Sequence, residues 1–138
     1  MDNHTPETRS YNMSCIRSVG NKPEEIVCKY LFHKKFRYRK NVRRLPGCPD
    51  IVLSKYKTVI FINGCFWHQH EGCSDFVWPK SNISYWKEKL DKNKQRDSRN
   101  QEILRKEGWQ VLVIWECELK KSRRELTLNQ LWHRLKQQ

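Results

Sequence analysis

Val111-Leu112-Val113-Ile114-Trp115 is a short, unbroken apolar run between polar residues, the pattern of a strand buried on both faces beside a parallel neighbour. Thr58-Val59-Ile60-Phe61-Ile62-Asn63 supplies that neighbour, and between the two lies Ser84 to Lys106, a long helical stretch closed by Gly108 as a C-terminal cap. Strand, helix and strand in this order form a right-handed crossover unit whose two strands end at the same edge of the sheet. Upstream, Asp50 to Ser54 is a second β-branched run, a three-residue turn away from Thr58, so the pair reads as an antiparallel hairpin. With Ser54 opposite Thr58, the register sets Asp50 near Ile62. The spacing therefore predicts an α/β fold built on a mixed sheet flanked by helices.

Asn21 is placed to cap a helix from about Lys22 to Lys34, with Pro23 and two acids in its first turn and Ile26, Val27, Tyr30 and Leu31 as its apolar stripe. On a helical wheel Glu24 falls beside Leu31 at the margin of that stripe, whereas Glu25 points outward. Leu128, Leu131, Trp132 and Leu135 recur at helical spacing and mark a closing amphipathic helix. The middle of the long helix, Asp91 to Glu102, holds no apolar residue.

At 138 residues with 37% apolar composition and six tryptophans, the chain suits one domain, residues 1–138, with an N-terminal arm over about the first 20 residues. Twenty-eight Lys and Arg against fifteen Asp and Glu give +13, which makes a polyanion the leading partner class. No stretch approaches the length of a membrane span and the start lacks a signal peptide's apolar segment, so a cytoplasmic protein is expected. Six uneven cysteines point to free thiols or metal ligands in a reducing compartment. Lys29 to Arg44 carries eight basic residues and no acid, with Phe36 and Tyr38 alternating against Arg37 and Arg39 as in a short strand. One face can pack while Arg37, Arg39 and Lys40 remain available for phosphates.

The crossover gathers chemistry at one sheet edge. Cys65 follows the second hairpin strand, Cys117 follows the crossover strand, and Gly64-Cys65-Phe66-Trp67-His68-Gln69-His70-Glu71-Gly72-Cys73 places two thiols and two imidazoles within nine residues. Three cysteines and one histidine make a tetrahedral zinc set, in which the spacing admits either His68 or His70. The histidine left over could act as a general base near Asp50. Asp50, at a strand start after Pro49, stands where carboxylates hold magnesium against scissile phosphates, and Glu24 could be a second acid there. Phe66 and Trp67 are either core residues or an apolar wedge for a base step. Cys15, Cys28 and Cys48 have no partnered spacing.

Leu45-Pro46-Gly47-Cys48-Pro49-Asp50, Val59 to His68 with its Gly-Cys-Phe-Trp-His string, and Val113-Ile114-Trp115-Glu116-Cys117-Glu118-Leu119 together closely resemble the very short patch repair (Vsr) mismatch endonucleases. Arg9 to Met13, Lys22 to Glu25 and Trp86 to Lys89 extend the resemblance over nearly the whole chain. It implies a restriction-endonuclease-like fold and a magnesium-dependent nick in double-stranded DNA 5′ to the thymine of a T·G mismatch, with mismatch-repair proteins as candidate partners and a monomer as the acting form. By the same resemblance Asp50 is the magnesium-binding catalytic aspartate, helped by the backbone carbonyl of Ile62. His68 is the catalytic histidine and Glu24 the active-site glutamate. Cys65, His70, Cys73 and Cys117 are the structural zinc ligands, and Met13, Phe66 and Trp67 are the side chains inserted beside the mismatch. One departure stands out: Asn63 precedes Gly64-Cys65 where the family usually has a second histidine, so a hydrogen-bonding group replaces a proton carrier. Two rivals share much of this pattern, a non-catalytic zinc module that binds DNA and a nicking or restriction nuclease of the same fold without mismatch preference.

Overall fold

The computed structural model describes residues 22–137; Met13, the N-terminal arm and Asn21 lie outside them. Helix α1 spans Lys22–His33, followed by strands β1 (Arg39–Lys40), β2 (Ile51–Leu53) and β3 (Thr58–Asn63). The long helix α2, Ile83–Lys106, leads to β4, Gln110–Trp115, and α3, Arg124–Lys136, closes the described chain. The sheet order is β1-β2-β3-β4, antiparallel for the first two pairs and parallel for the last. This is the mixed α/β architecture that the crossover and hairpin patterns predict.

Period-two alternation divides the core between the two sheet faces. Ile51, Leu53, Ile60, Leu112 and Ile114 pack with Val27 and Leu31 of α1 and Leu131 and Leu135 of α3. Val52 and Val59 face the other way, onto Leu104 of α2, with Phe61, Trp109 and Val111 beside them. Three layers result. α2 ends as its sequence foretells: Gly108, at φ +93°, donates its N–H to Arg105 O, and Trp109 donates to Leu104 O, which satisfies two terminal carbonyls.

Three expectations need correction. The hairpin pairs Leu53, not Ser54, with Thr58, because Ser54–Tyr56 winds into a 3-10 turn and Lys57 closes it in the left-handed region at φ 49°. Asp50 is therefore level with Phe61. β4 is an edge strand among the described residues, with only Leu112 and Ile114 buried; of its outer residues Val111 packs on the smaller cluster, whereas Val113 and Trp115 line the site described below. The basic strand is also shorter than the alternation suggested, since Lys35 and Asn41, both at positive φ, bracket it.

Candidate functional site

β3 and β4 run parallel with Asn63 beside Trp115, so the chain leaves the sheet twice at one edge and delivers Cys65 and Cys117 to the same place. A tight loop follows Cys65, in which His68 N–H donates to Gly64 O and His70 N–H donates to Cys65 O. It folds His70 and Cys73 back, so that one ligand atom each from Cys65, His70, Cys73 and Cys117 lies within 4.8 Å of all the others. His70 Nδ1 and Cys117 Sγ are 3.5 Å apart. A tetrahedron with zinc–nitrogen and zinc–sulfur bonds of ordinary length has an N···S edge of about 3.6 Å, so the donor set fits that ion. Between the two histidines the geometry selects His70.

The surroundings hold the ligands in place but do not by themselves ionise the buried thiols. Burial, then the neighbouring Cys117 and Cys73 thiols, push the Cys65 thiol up to about 12, so a cation is needed to ionise it at neutral pH. Cys73 is held below the usual thiol range by the N–H of Asp75, 3.4 Å from its sulfur. Arg123 reaches Cys117 Sγ at 3.9 Å, and the Trp115 ring stacks on His70 at 4.0 Å between centroids with the planes 3° apart. These residues fix ligand orientation. None of them carried a signal in the sequence beyond proximity to a ligand.

At the end of the sheet, Asp50 Oδ2 accepts the Ile62 N–H at 2.6 Å. The Asp50 carboxyl is raised to about 6 by burial, with the Ile62 N–H and the nearby His68 pulling it partly back. Glu24 is 2% exposed, and neither of its carboxylate oxygens has a hydrogen-bond partner. Burial, reinforced by the charge of Asp50, raises it to about 7, while Lys40 lowers it. Glu25 is exposed. A lone buried carboxylate without donors, as Glu24 is, costs several kcal/mol unless a cation or proton meets it, and with the charge of half-buried Asp50 acting on it the two form a cation-seeking pair.

His68 does not join the thiol cluster. Its Nδ1 lies 2.5 Å from Asp97 Oδ2 on α2, which leaves Nε2 as the nitrogen free of that bond. Asn63 is 6% exposed and shares with His68, Asp97 and Trp115 the lining of a cavity of about 400 Å³. Asp97 is the important residue that sequence reasoning missed, because it sits in a uniformly charged helical stretch where nothing marks one carboxylate from another.

Phe66 and Trp67 belong to neither core cluster. Phe66 is half-buried and Trp67 is 48% exposed. Trp86 of α2 supports both, with centroids 5.6 Å from Phe66 and 5.9 Å from Trp67. Asn93 donates to Trp67 O at 3.4 Å, and with Tyr85, Lys89 and Arg96 it lines a groove on the same helix. Arg37, Arg39 and Lys40 are all exposed. No helix among the described residues is long and apolar enough to cross a membrane.

A mixed α/β scaffold that carries a Cys₃His cluster able to hold a metal, together with a buried and a half-buried acid and a carboxylate-bound imidazole, defines the class of site found here. Comparison with known proteins agrees. The family model for the DNA mismatch endonuclease Vsr matches residues 1–75. The DNA mismatch endonuclease Vsr of Escherichia coli is 39% identical over 136 residues, 99% of this chain and 86% of that protein. A type II nicking enzyme of Neisseria meningitidis is 54% identical over 119 residues, 86% of this chain and 84% of its own. Another from Xanthomonas oryzae is 43% identical over 118 residues, 86% of each chain. The chain belongs to the Vsr family of DNA mismatch endonucleases.

Proposed function

We propose that this protein nicks duplex DNA 5′ to the thymine of a T·G mismatch, the lesion left when 5-methylcytosine deaminates, as a monomeric, single-domain, restriction-endonuclease-like enzyme of the bacterial cytoplasm. The observation that carries the reading is the Glu24–Asp50 acid pair, with Glu24 buried and without donors and Asp50 half-buried and acted on by His68, which Asp97 holds. A purely DNA-binding module has no use for such costly groups.

Asp50, the backbone carbonyl of Ile62 and Glu24 would hold the magnesium ion. That ion supplies charge stabilisation to the phosphate and acidifies water bound to it. Asp97 holds His68 by Nδ1, so Nε2 is the atom that takes the proton from the attacking water. Asn63 offers a hydrogen bond to a phosphate oxygen or a water but no proton transfer near neutral pH. The products are a 5′-phosphate and a 3′-hydroxyl. Cys65, His70, Cys73 and Cys117 would hold zinc, which would fix the loop that carries Phe66, Trp67 and His68. Phe66 and Trp67, together with Met13, wedge into the stack beside the mismatch. Lys89 and Asn93, in the groove beside Trp67, bring donors to base edges, and Arg37, Arg39 and Lys40 hold backbone phosphates.

Several relatives are named simply as nicking enzymes, and the second reading is a nicking enzyme without mismatch preference. One experiment decides: nicking of labelled T·G and T·A duplexes with magnesium by the wild-type protein and Asp50→Ala. The proposal expects a nick only on T·G and only with Asp50 intact. Equal nicking of both duplexes would favour the second reading, and activity surviving in Asp50→Ala would sink the acid-pair assignment.

A further inference from the structure

The basic segment before Asp50 supplies cations that look interchangeable in sequence, but the sheet separates them. Arg39 pairs with Val52 and Lys40 with Ile51, and directly opposed residues of an antiparallel pair share a face. Val52 belongs to the cluster under α2, whereas Ile51 belongs to the one under α1. Arg39 is therefore directed to the α2 side and Lys40 to the α1 side, where Glu24 lies. The next residue, Asn41, donates its N–H to Asp50 O at 3.0 Å, which ties the Lys40 backbone to the catalytic aspartate.

Lys40 and Glu24 line a common cavity of about 270 Å³ together with Cys28, Lys29, His33 and Tyr38. Among the described residues Lys40 and Glu24 form no ion pair, and both Glu24 oxygens stay unbonded. An ammonium and an unbonded carboxylate that line one open volume leave room for a group that both can address. A phosphodiester whose oxygens meet the metal on one side and an ammonium on the other has that chemistry.

Resting on the acid-pair reading given above, we propose that Lys40 is a catalytic residue, its ammonium touching a non-bridging oxygen of the scissile phosphate across the cavity from Glu24. Arg39, facing away, serves affinity alone. The distinction is measurable because charge that stabilises the reacting phosphate appears in the rate at saturation, whereas a remote phosphate contact appears in affinity and its salt dependence.

The test is single-turnover nicking of a T·G duplex at saturating protein, with duplex affinity measured over a range of salt, for Lys40→Met, Lys40→Arg, Arg39→Met and Asp50→Ala. Lys40 is exposed, so its variants should fold, which melting curves would verify. The expected result is a loss of about 100-fold in rate for Lys40→Met, largely restored in Lys40→Arg, and for Arg39→Met a weaker affinity with the salt slope lessened by about 0.9. Parental rate at saturation in Lys40→Met would overturn the proposal. So would an equal rate loss in Arg39→Met, since facing would then not matter. If Asp50→Ala is inactive while Lys40→Met is fully active, only the Lys40 assignment fails; if Asp50→Ala nicks normally, the acid-pair reading fails first.

Discussion

Replacing Glu24 by glutamine should stabilise this protein in the absence of magnesium, by an amount that depends on pH. The ordinary value of 4.5 is displaced to about 7 in the folded chain, by burial first and by Asp50 second. At about 1.4 kcal/mol for each tenfold change in acidity, ionising Glu24 in the folded state costs up to about 3 kcal/mol. Between pH 4.5 and 7 the folded form keeps a proton that the unfolded chain has released, so the contribution of this group to stability falls as pH rises and its full cost is present above pH 7. Glu24→Gln removes the charge without changing the shape. Its melting temperature should match the wild type's near pH 4.5 and exceed it by about 10 °C at pH 8, taking about 4 °C per kcal/mol for a domain of this length. Added magnesium should close the gap by stabilising the wild type and not the variant. The assay is thermal unfolding at both pH values in magnesium-free buffer without chelator, so that zinc is retained. A variant no more stable than the wild type at pH 8, or a gap of equal size at both pH values, would refute the reasoning.

Other outcomes follow from the remaining parts of the site. One zinc per chain is expected by elemental analysis, and Cys117→Ser should lose the metal and several kcal/mol of stability in the same preparation. Asp97→Asn should leave duplex affinity intact but cut single-turnover nicking by on the order of 100-fold or more, because an amide no longer favours the proton on Nδ1 of His68; an unchanged rate would make the pair merely structural. Trp67→Ala should lose about 10-fold in preference for T·G over T·A at fixed salt while keeping its zinc, since unstacking a matched step costs a few kcal/mol that the wedge must supply. An unchanged preference would reduce Trp67 to packing.

What the sequence disclosed and what it hid divide along physical lines. Local periodicity was enough to place Glu24 on the buried margin of α1 and to bring Cys65 and Cys117 to one edge, because the pitch of a helix and the direction of parallel strands leave little freedom. The hairpin register was off by one because Lys57 adopts a left-handed conformation, which no sequence rule requires of a lysine. Asp50 reached Ile62 nonetheless, through its side chain instead of its ladder position. The Val111 to Trp115 run suggested burial on both faces, yet Trp115 spends its ring on His70. Asp97 was illegible for a different reason: its importance lies wholly in the tertiary contact with His68.

That contact belongs to a larger pattern along α2. The helix's polar middle looks like a solvated face, but it addresses the zinc loop residue by residue. Trp86 packs on Phe66 and Trp67, Asp91 accepts from Gln69, Asn93 donates to Trp67 O, Lys94 pairs with Glu71, and Asp97 holds His68. Within the same loop the proposed wedge and the proposed general base are adjacent in sequence, bracketed by the metal ligands Cys65 and His70. A metal held by Cys65, His70, Cys73 and Cys117 on one side and α2 on the other would thus leave that short segment almost no independent motion. A wedge that enters beside the mismatch then carries the base with it at a set distance. On the proposed reading, the position of the nick relative to the mispaired thymine is determined by this rigidity and not by contacts to the phosphate that is cut.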